Sequence, residues 1–423
     1  MLVGRGAIGL FATAVVARTL GATGRGHVVF VTNLVGLLAI IAGAATFVGL
    51  TRLRTVENES VESLSTAAVM IGVLAGGVLG LGLIVIALAD RNSNSLAPGI
   101  VVLAGLTTIS LTVWSNVSVV ASLEDRIGAV TWTSLVGIGA YLVVTAITAA
   151  TGSMTVANNI AAWMFTSMLP PALLVWPARA VRFSLHGAGH AMKRLLALTM
   201  RANIATTSIL AMWRIDQLVV GLRRGYTELG LYSIAVAVAE IVWVGAPALR
   251  SALLPQHSMS GEVLADGVAR VTRVALLATV VASAALAIVG YPFLDVFFGA
   301  RFEQTYPTML ILLPGVILLV LHYPLFDYIA ARRGLRALTV MGIAGVVLNV
   351  GLDYALLGRY SYVAAAWVST LTYAFVFATC LALFVRQSGK GVADVLLIRR
   401  RDFASILKFV RDFGRRLRPS VTT

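Results

Sequence analysis

The sequence predicts an all-α polytopic membrane protein with about twelve transmembrane helices in two six-helix lobes. Three observations carry that reading. The 423 residues form long apolar stretches, positive charge falls on alternate connectors, and the second half echoes the first. Crossing about 30 Å of hydrocarbon takes about 20 apolar residues in a helix. Stretches of that kind occupy residues 2–17, 28–50, 67–89, 98–123, 130–150, 157–177, 202–222, 229–256, 268–290, 306–331, 336–357 and 361–385. Lipid offers backbone groups no water, so each stretch must close its hydrogen bonds within itself as a helix. The short alternating strands of a membrane barrel are not in evidence.

Orientation follows from the connectors. With the N-terminus inside, the connectors on that face and the tail hold 24 of the 33 Lys and Arg residues. The opposite connectors hold seven: Arg18, Arg25, Arg91, Arg223, Arg224, Arg301 and Arg359. Arg5 and Arg214 fall within spans. The positive-inside rule therefore places both termini in the cytoplasm and the chain in the cytoplasmic membrane. A miscounted span would invert one half and mix the charges, so count and orientation support each other.

A composition of 59% hydrophobic and 12% charged residues excludes a soluble globular domain and a disordered chain. The formal charge of +15 sits in inner connectors and the tail, which points to anionic membrane lipids and not to nucleic acid. A single cysteine, Cys380 in an apolar span, rules out a disulfide within the chain. No cleavable leader is evident. The first stretch is short and contains Arg5, so a start lacking a few upstream residues is expected.

The chain divides near residues 190–200 into an N-terminal lobe (1–190), a C-terminal lobe (191–385) and a basic tail (386–423). In the tail, apolar residues at 403, 406, 407, 410 and 413 have helical spacing and suit an amphipathic helix on the inner leaflet. Gly21, Thr23 and Gly26 recur as Gly225, Thr227 and Gly230 at an offset of 204. Arg126, Gly128 and Gly139 recur as Arg332, Gly334 and Gly345 at an offset of 206. Each set joins equivalent spans. Six spans per half give both halves one orientation, related by an axis along the membrane normal. Two such bundles enclose the central cavity of an alternating-access transporter.

Enzyme signatures are absent: no phosphate loop, no His-Glu-x-x-His, no strand before the glycines at 21–26. No catalytic residue, metal or organic cofactor is expected. His186 and His190 are one helical turn apart, but no carboxylate is near them in sequence and they read as a solvated face. The informative residues are charges at membrane depth, where burial costs about 2.5–3.5 kcal/mol on insertion scales. Arg214 and Asp216 lie in the seventh span, Glu240 in the eighth, Asp327 in the tenth and Asp353 in the eleventh, with His322 and Asn349 nearby. Arg214 is either clasped to Asp216 or Glu240, or faces the cavity and meets an anionic substrate. Asp216, Glu240 and Asp327 are the candidate carriers of a coupling ion, H+ or Na+. The N-terminal half has no mid-span acid. Arg18, Arg25, Arg52, Asn33 and Asn116 are its candidate substrate-binding residues, because guanidinium binds phosphate through paired donors. Arg18, Arg25 and Arg52 could equally snorkel to head groups.

The order of these motifs resembles the polysaccharide-exporter branch, the Wzx-type oligosaccharide flippases, of the MATE-like multidrug/oligosaccharidyl-lipid/polysaccharide superfamily. The likeness rests on Ala17-Arg18-Thr-Leu20-Gly21-x-x-Gly24-x-Gly26, on Arg214-Ile-Asp216-Gln, and on Glu228-Leu-Gly230-Leu-Tyr232-Ser-Ile-Ala235 with Glu240. Phe298-Gly299-x-Arg-Phe302, Pro314-Gly315, Asn349 and Ala364-Ala365-Ala366 extend it along the chain. The resemblance implies passage of a polyprenyl-pyrophosphate-linked oligosaccharide from the inner to the outer leaflet, beside a polysaccharide polymerase and glycosyltransferases. Lipid II flippases and ion-coupled drug antiporters are the alternatives within the superfamily. Drug antiporters should carry acids in the N-terminal cavity. A membrane glycosyltransferase or polymerase needs catalytic acids on a large outer loop, and the outer connectors here hold only Asp90, Glu228, Asp295 and Glu303.

Overall fold

A computed structural model describes residues 2–43, 46–55, 57–89, 98–176, 181–245, 261–332 and 334–399. Among the described residues every regular element is helical. The N-terminal lobe comprises α1 (Leu2–Gly43), α2 (Thr46–Thr55), α3 (Val61–Ala89), α4 (Pro98–Leu123), α5 (Ile127–Ala150) and α6 (Val156–Val175). The C-terminal lobe comprises α7 (Ala188–Arg224), α8 (Tyr226–Ala239) with its 3₁₀ extension Glu240–Gly245, α9 (Gly261–Phe298), α10 (Tyr306–Ala331), α11 (Leu335–Leu356) and α12 (Val363–Ser388). A short α13 (Val392–Leu396) follows.

Nine of the described helical segments are long and apolar enough to cross a membrane. One of them, Gly4–Gly43, makes two passes, because Gly21 (φ 67°, ψ −172°) breaks α1. Polar residues lower the hydropathy of α6, with Asn158 and Asn159, and of α7, with Arg214 and Asp216. Counting these two, the described helices supply the twelve expected passes. The eighth pass is shorter than the expected 229–256: its α-helix ends at Ala239 and the 3₁₀ turn at Gly245. The rest of that stretch and the amphipathic segment 403–413 lie outside the described residues.

Hydroxyl side chains are tolerated at membrane depth because they bond back to their own helix. On α4, Thr107, Thr108 and Thr112 donate to the carbonyls of Leu103, Ala104 and Thr108 at 2.7, 2.9 and 2.7 Å. Each polar group is thereby satisfied without a partner helix. Packing between helices relies instead on small residues. Gly72, Gly76 and Gly80 make a stripe at every fourth position of α3, directly against α4. A Cβ at Gly72 or Gly76 would lie 2.9 Å from the Cα of Val113 or Ile109, and one at Gly80 2.7 Å from the Gly105 carbonyl oxygen. Close backbone approach replaces the hydrophobic effect, which lipid does not provide. Gly76→Leu is expected to destabilise the protein by about 1–3 kcal/mol through overpacking, read as a lower melting temperature in detergent. Gly77→Leu is the control, since a Cβ there meets nothing within 4 Å.

The lobe boundary falls inside a continuous helix. α7 begins at Ala188, and its first turns place Ala191 and Leu195 in a core with Leu50, Leu53, Leu64 and Ile71 of the N-terminal lobe. Arg194 there forms ion pairs with Glu57 and, at 3.0 Å, with Glu59. The same helix then enters the C-terminal lobe, where Met212 joins a core with Met341, Val376 and Cys380.

Candidate functional site

The two glycine-threonine motifs detected as a repeat meet face to face between the lobes. Gly21 and Gly225 (φ 82°, ψ 176°) share a backbone conformation that disfavours a side chain. Each lets its chain reverse between two helices. Thr23 and Thr227 touch through their hydroxyl oxygens at 2.8 Å, so the pseudo-two-fold axis passes near this pair. A Cβ at Gly26 would lie 1.7 Å from the Tyr226 carbonyl oxygen, and one at Gly230 1.8 Å from that of Ala22. Only glycine permits this mutual approach. His27 stacks on Tyr226 with ring centroids 3.7 Å apart. The seam continues down α1, where Asn33 Nδ2 donates to Gln217 Oε1 at 2.9 Å and Leu37 packs against Ala211 and Leu218. The lobes are therefore closed at the end that carries these motifs.

Arg18 belongs to this seam. Its Nε donates to the Phe297 carbonyl at 3.0 Å, and its Nη2 to those of Val296 and Asp295. These are the last carbonyls of α9, where the helix dipole favours a cation. The sequence reading offered Arg18 as a cavity residue, whereas the structure uses it as an interlobe clasp. Arg52 and Asn116 are also placed away from the cavities. Arg52 is 60% exposed and pairs with Glu57 at 3.6 Å. Asn116 is enclosed in the N-terminal lobe, donating to the Ala68 carbonyl at 3.1 Å and accepting from Thr46.

Arg25 is the predicted substrate residue that does line a cavity. A space of about 290 Å³ inside the N-terminal lobe is bounded by Arg25, Arg5, Trp114, Tyr141 and Trp163, with Thr13, Ser134 and Ser167 supplying hydroxyls. No aspartate or glutamate is among its lining residues. Arg25 Nε is enclosed and has no hydrogen-bond partner, and the guanidinium is within electrostatic reach of Arg214. An enclosed cationic donor without an acceptor is costly unless an anion comes to it.

The C-terminal lobe instead holds carboxylates at membrane depth. Arg214 pairs with Glu240 at 3.4 Å, the clasp among the two readings of this arginine. Asp216 is fully engaged by other groups: it accepts from Tyr232 at 2.7 Å, Ser369 at 2.9 Å and the Gln217 backbone at 2.7 Å. Asp353 on α11 lies close enough to Asp216 for the two carboxylates to repel. Asp353 is 0% exposed, and neither of its oxygens has a partner. Asn349, one turn earlier, is likewise buried with both side-chain polar atoms unpartnered. Two buried carboxylates that repel each other are stabilised when one of them takes up a proton or a cation. The oxygens of Asp216 and Ser369, 2.9 Å apart, and those of Asp353 are hard donors suited to such an ion. Asp327 is half-buried near the last turn of α10, at the other end of the lobe.

Sequence reasoning named Asp353 and Asn349 but left both out of the ion-coupling set. Their spacing of four on one helix face, both at membrane depth, was the available signal. Among the described residues no three His, Cys, Asp or Glu side chains form a metal-binding group. His186 and His190 are exposed, as a solvated face requires.

The sequence profile of a family described as a polysaccharide biosynthesis protein matches residues 15–307. No curated protein matches the sequence. Among solved structures, an inward-facing multidrug resistance MATE family transporter of the MOP superfamily aligns with a TM-score of 0.67 at 13% identity, covering 91% of this chain and 95% of that one. The lipid II flippase MurJ, in an inward closed conformation, aligns at 0.62 and 12% identity, covering 96% and 91%. An outward-facing MATE transporter aligns at 0.55 and 12% identity, covering 92% and 95%. These likenesses establish the MATE-like fold.

Proposed function

The chain belongs to the polysaccharide biosynthesis protein family, and from that premise we propose that it is a flippase for a polyprenyl-pyrophosphate-linked oligosaccharide. It carries the head group from the inner to the outer leaflet of the cytoplasmic membrane by alternating access and performs no covalent chemistry. The observation that supports this most is the arginine-lined, acid-free cavity of the N-terminal lobe. A sugar–pyrophosphate head cannot enter hydrocarbon, and a chamber lined by guanidinium groups and hydroxyls replaces its hydration. The lipid tail stays in the bilayer. A lipid II-type substrate would satisfy the same chemistry. A drug-cation antiporter is disfavoured, because the cavity charge has the wrong sign.

In this reading the C-terminal carboxylates supply the drive. A proton or Na+ held by Asp216 and Asp353 changes the charge of one lobe, and with it the balance between inward-open and outward-open states. Enzymes that build the glycan, and a polymerase that consumes it, are the expected neighbours of the transport step.

The substrate assignment is tested at Arg25. Arg25→Ala is expected to abolish glycan export while the protein remains folded and inserted, and Arg25→Lys to restore only part, because an ammonium lacks the two-pronged contact. Export by the alanine variant at the wild-type rate would remove the cavity from the mechanism.

A further inference from the structure

The geometry points to two anion stations in series within the N-terminal lobe, Arg5 at the inner one and Arg25 at the outer one. This rests on reading the cavity as a pyrophosphate site and adds a second position to it. Both arginines line the same space of about 290 Å³, yet they stand at different depths. Arg5 lies sixteen residues before the Gly21 break and Arg25 four residues after it. At 1.5 Å per residue the two Cα atoms are therefore at levels about 18 Å apart. Helical side chains lean towards the start of their own helix. The first half of α1 runs towards the Gly21 end and the second half away from it, so the two guanidiniums lean apart. One pyrophosphate cannot bridge them.

A second chamber of about 230 Å³ adjoins Arg5, walled by Trp114, Ser118, Thr131 and Ser134. It shares Arg5, Trp114 and Ser134 with the first. Ser118 and Thr131 lie near the α4–α5 turn, the end of the lobe remote from Gly21. The order along the path is then the inner chamber, Arg5, the shared chamber and Arg25. Arg25 is two residues from Thr23, whose contact with Thr227 closes the seam. Arg5 thus receives the anionic head on entry, and Arg25 holds it just beneath the seam that must open to release it. Two separated sites of moderate strength allow entry and exit where one strong site would trap the ligand.

The test uses the full-length protein in nanodiscs titrated with inorganic pyrophosphate, alongside glycan export in cells. Wild type is expected to bind two equivalents, Arg5→Ala and Arg25→Ala one each, and the double variant none. In export, Arg5→Ala should raise the substrate level needed for half-maximal rate, whereas Arg25→Ala should lower the maximal rate. Wild type binding only one equivalent, abolished in either single variant, would overturn the series arrangement and leave one shared site. So would unchanged binding in Arg5→Ala with export still dependent on Arg25, an outcome that preserves the flippase reading. Pyrophosphate binding and export indifferent to both arginines would overturn the inference and the flippase reading together.

Discussion

Cysteines at positions 23 and 227, oxidised to a disulfide, should stop export completely, and reduction should restore it. The threonine hydroxyl oxygens they replace are 2.8 Å apart, so sulfur atoms carried at the same positions meet across the seam. The bond would tie the two lobes together where Gly26 and Gly230 already bring their backbones into contact. Outward opening has to separate this seam, break the Arg18 contacts with the end of α9 and part the His27–Tyr226 stack. A covalent link forbids all three. Cys380 is buried in the C-terminal lobe and does not compete for the new thiols. The single variants Thr23→Cys and Thr227→Cys should export normally, which separates locking from damage. Full export by a completely cross-linked double variant would mean that the seam never opens.

The second large effect is expected at Asp353. Its carboxylate is enclosed, unpartnered and near Asp216, so the occupied site should stabilise the fold. If Na+ fills it, wild-type protein gains stability with Na+ and not with choline, by about 2.7 kcal/mol at a hundred times the dissociation constant. If a proton fills it, acidification has that effect instead. Asp353→Asn removes the repulsion with Asp216 and should abolish either response, with export falling to background in an ion gradient. Asp216→Asn should behave alike but also lose stability, because Tyr232 and Ser369 donate to that carboxylate. A melting temperature and an export rate that keep their full ion dependence in Asp353→Asn would eliminate the site as the coupling element.

Much of the architecture was legible because lipid imposes a simple rule. Every spanning segment must be a self-satisfied helix, so apolar length alone locates the passes. The repeat of Gly21, Thr23 and Gly26 at 225, 227 and 230 marked two equivalent turns, which the fold brings together as the seam. The site was only partly legible. Arg25 was found, but Arg18, Arg52 and Asn116 could not be told from it, since a polar residue at a given depth can face a cavity, a helix end or a neighbouring helix. Depth is encoded along the chain, whereas facing depends on how helices rotate against one another.

The sequence by itself determined the membrane class, the passes, the duplication and the confinement of mid-span acids to the C-terminal half. These follow from local solvation and from counting, which need no knowledge of contacts. The tertiary structure alone decided that the repeated motifs touch across the axis, that Arg18 clasps the lobes and that Arg214 is paired with Glu240. It also decided that Asp353 lies within electrostatic reach of Asp216. Such pairings join residues up to 279 positions apart. They are set by the packing of small residues and by the rotation of whole helices, quantities that no local stretch of sequence records.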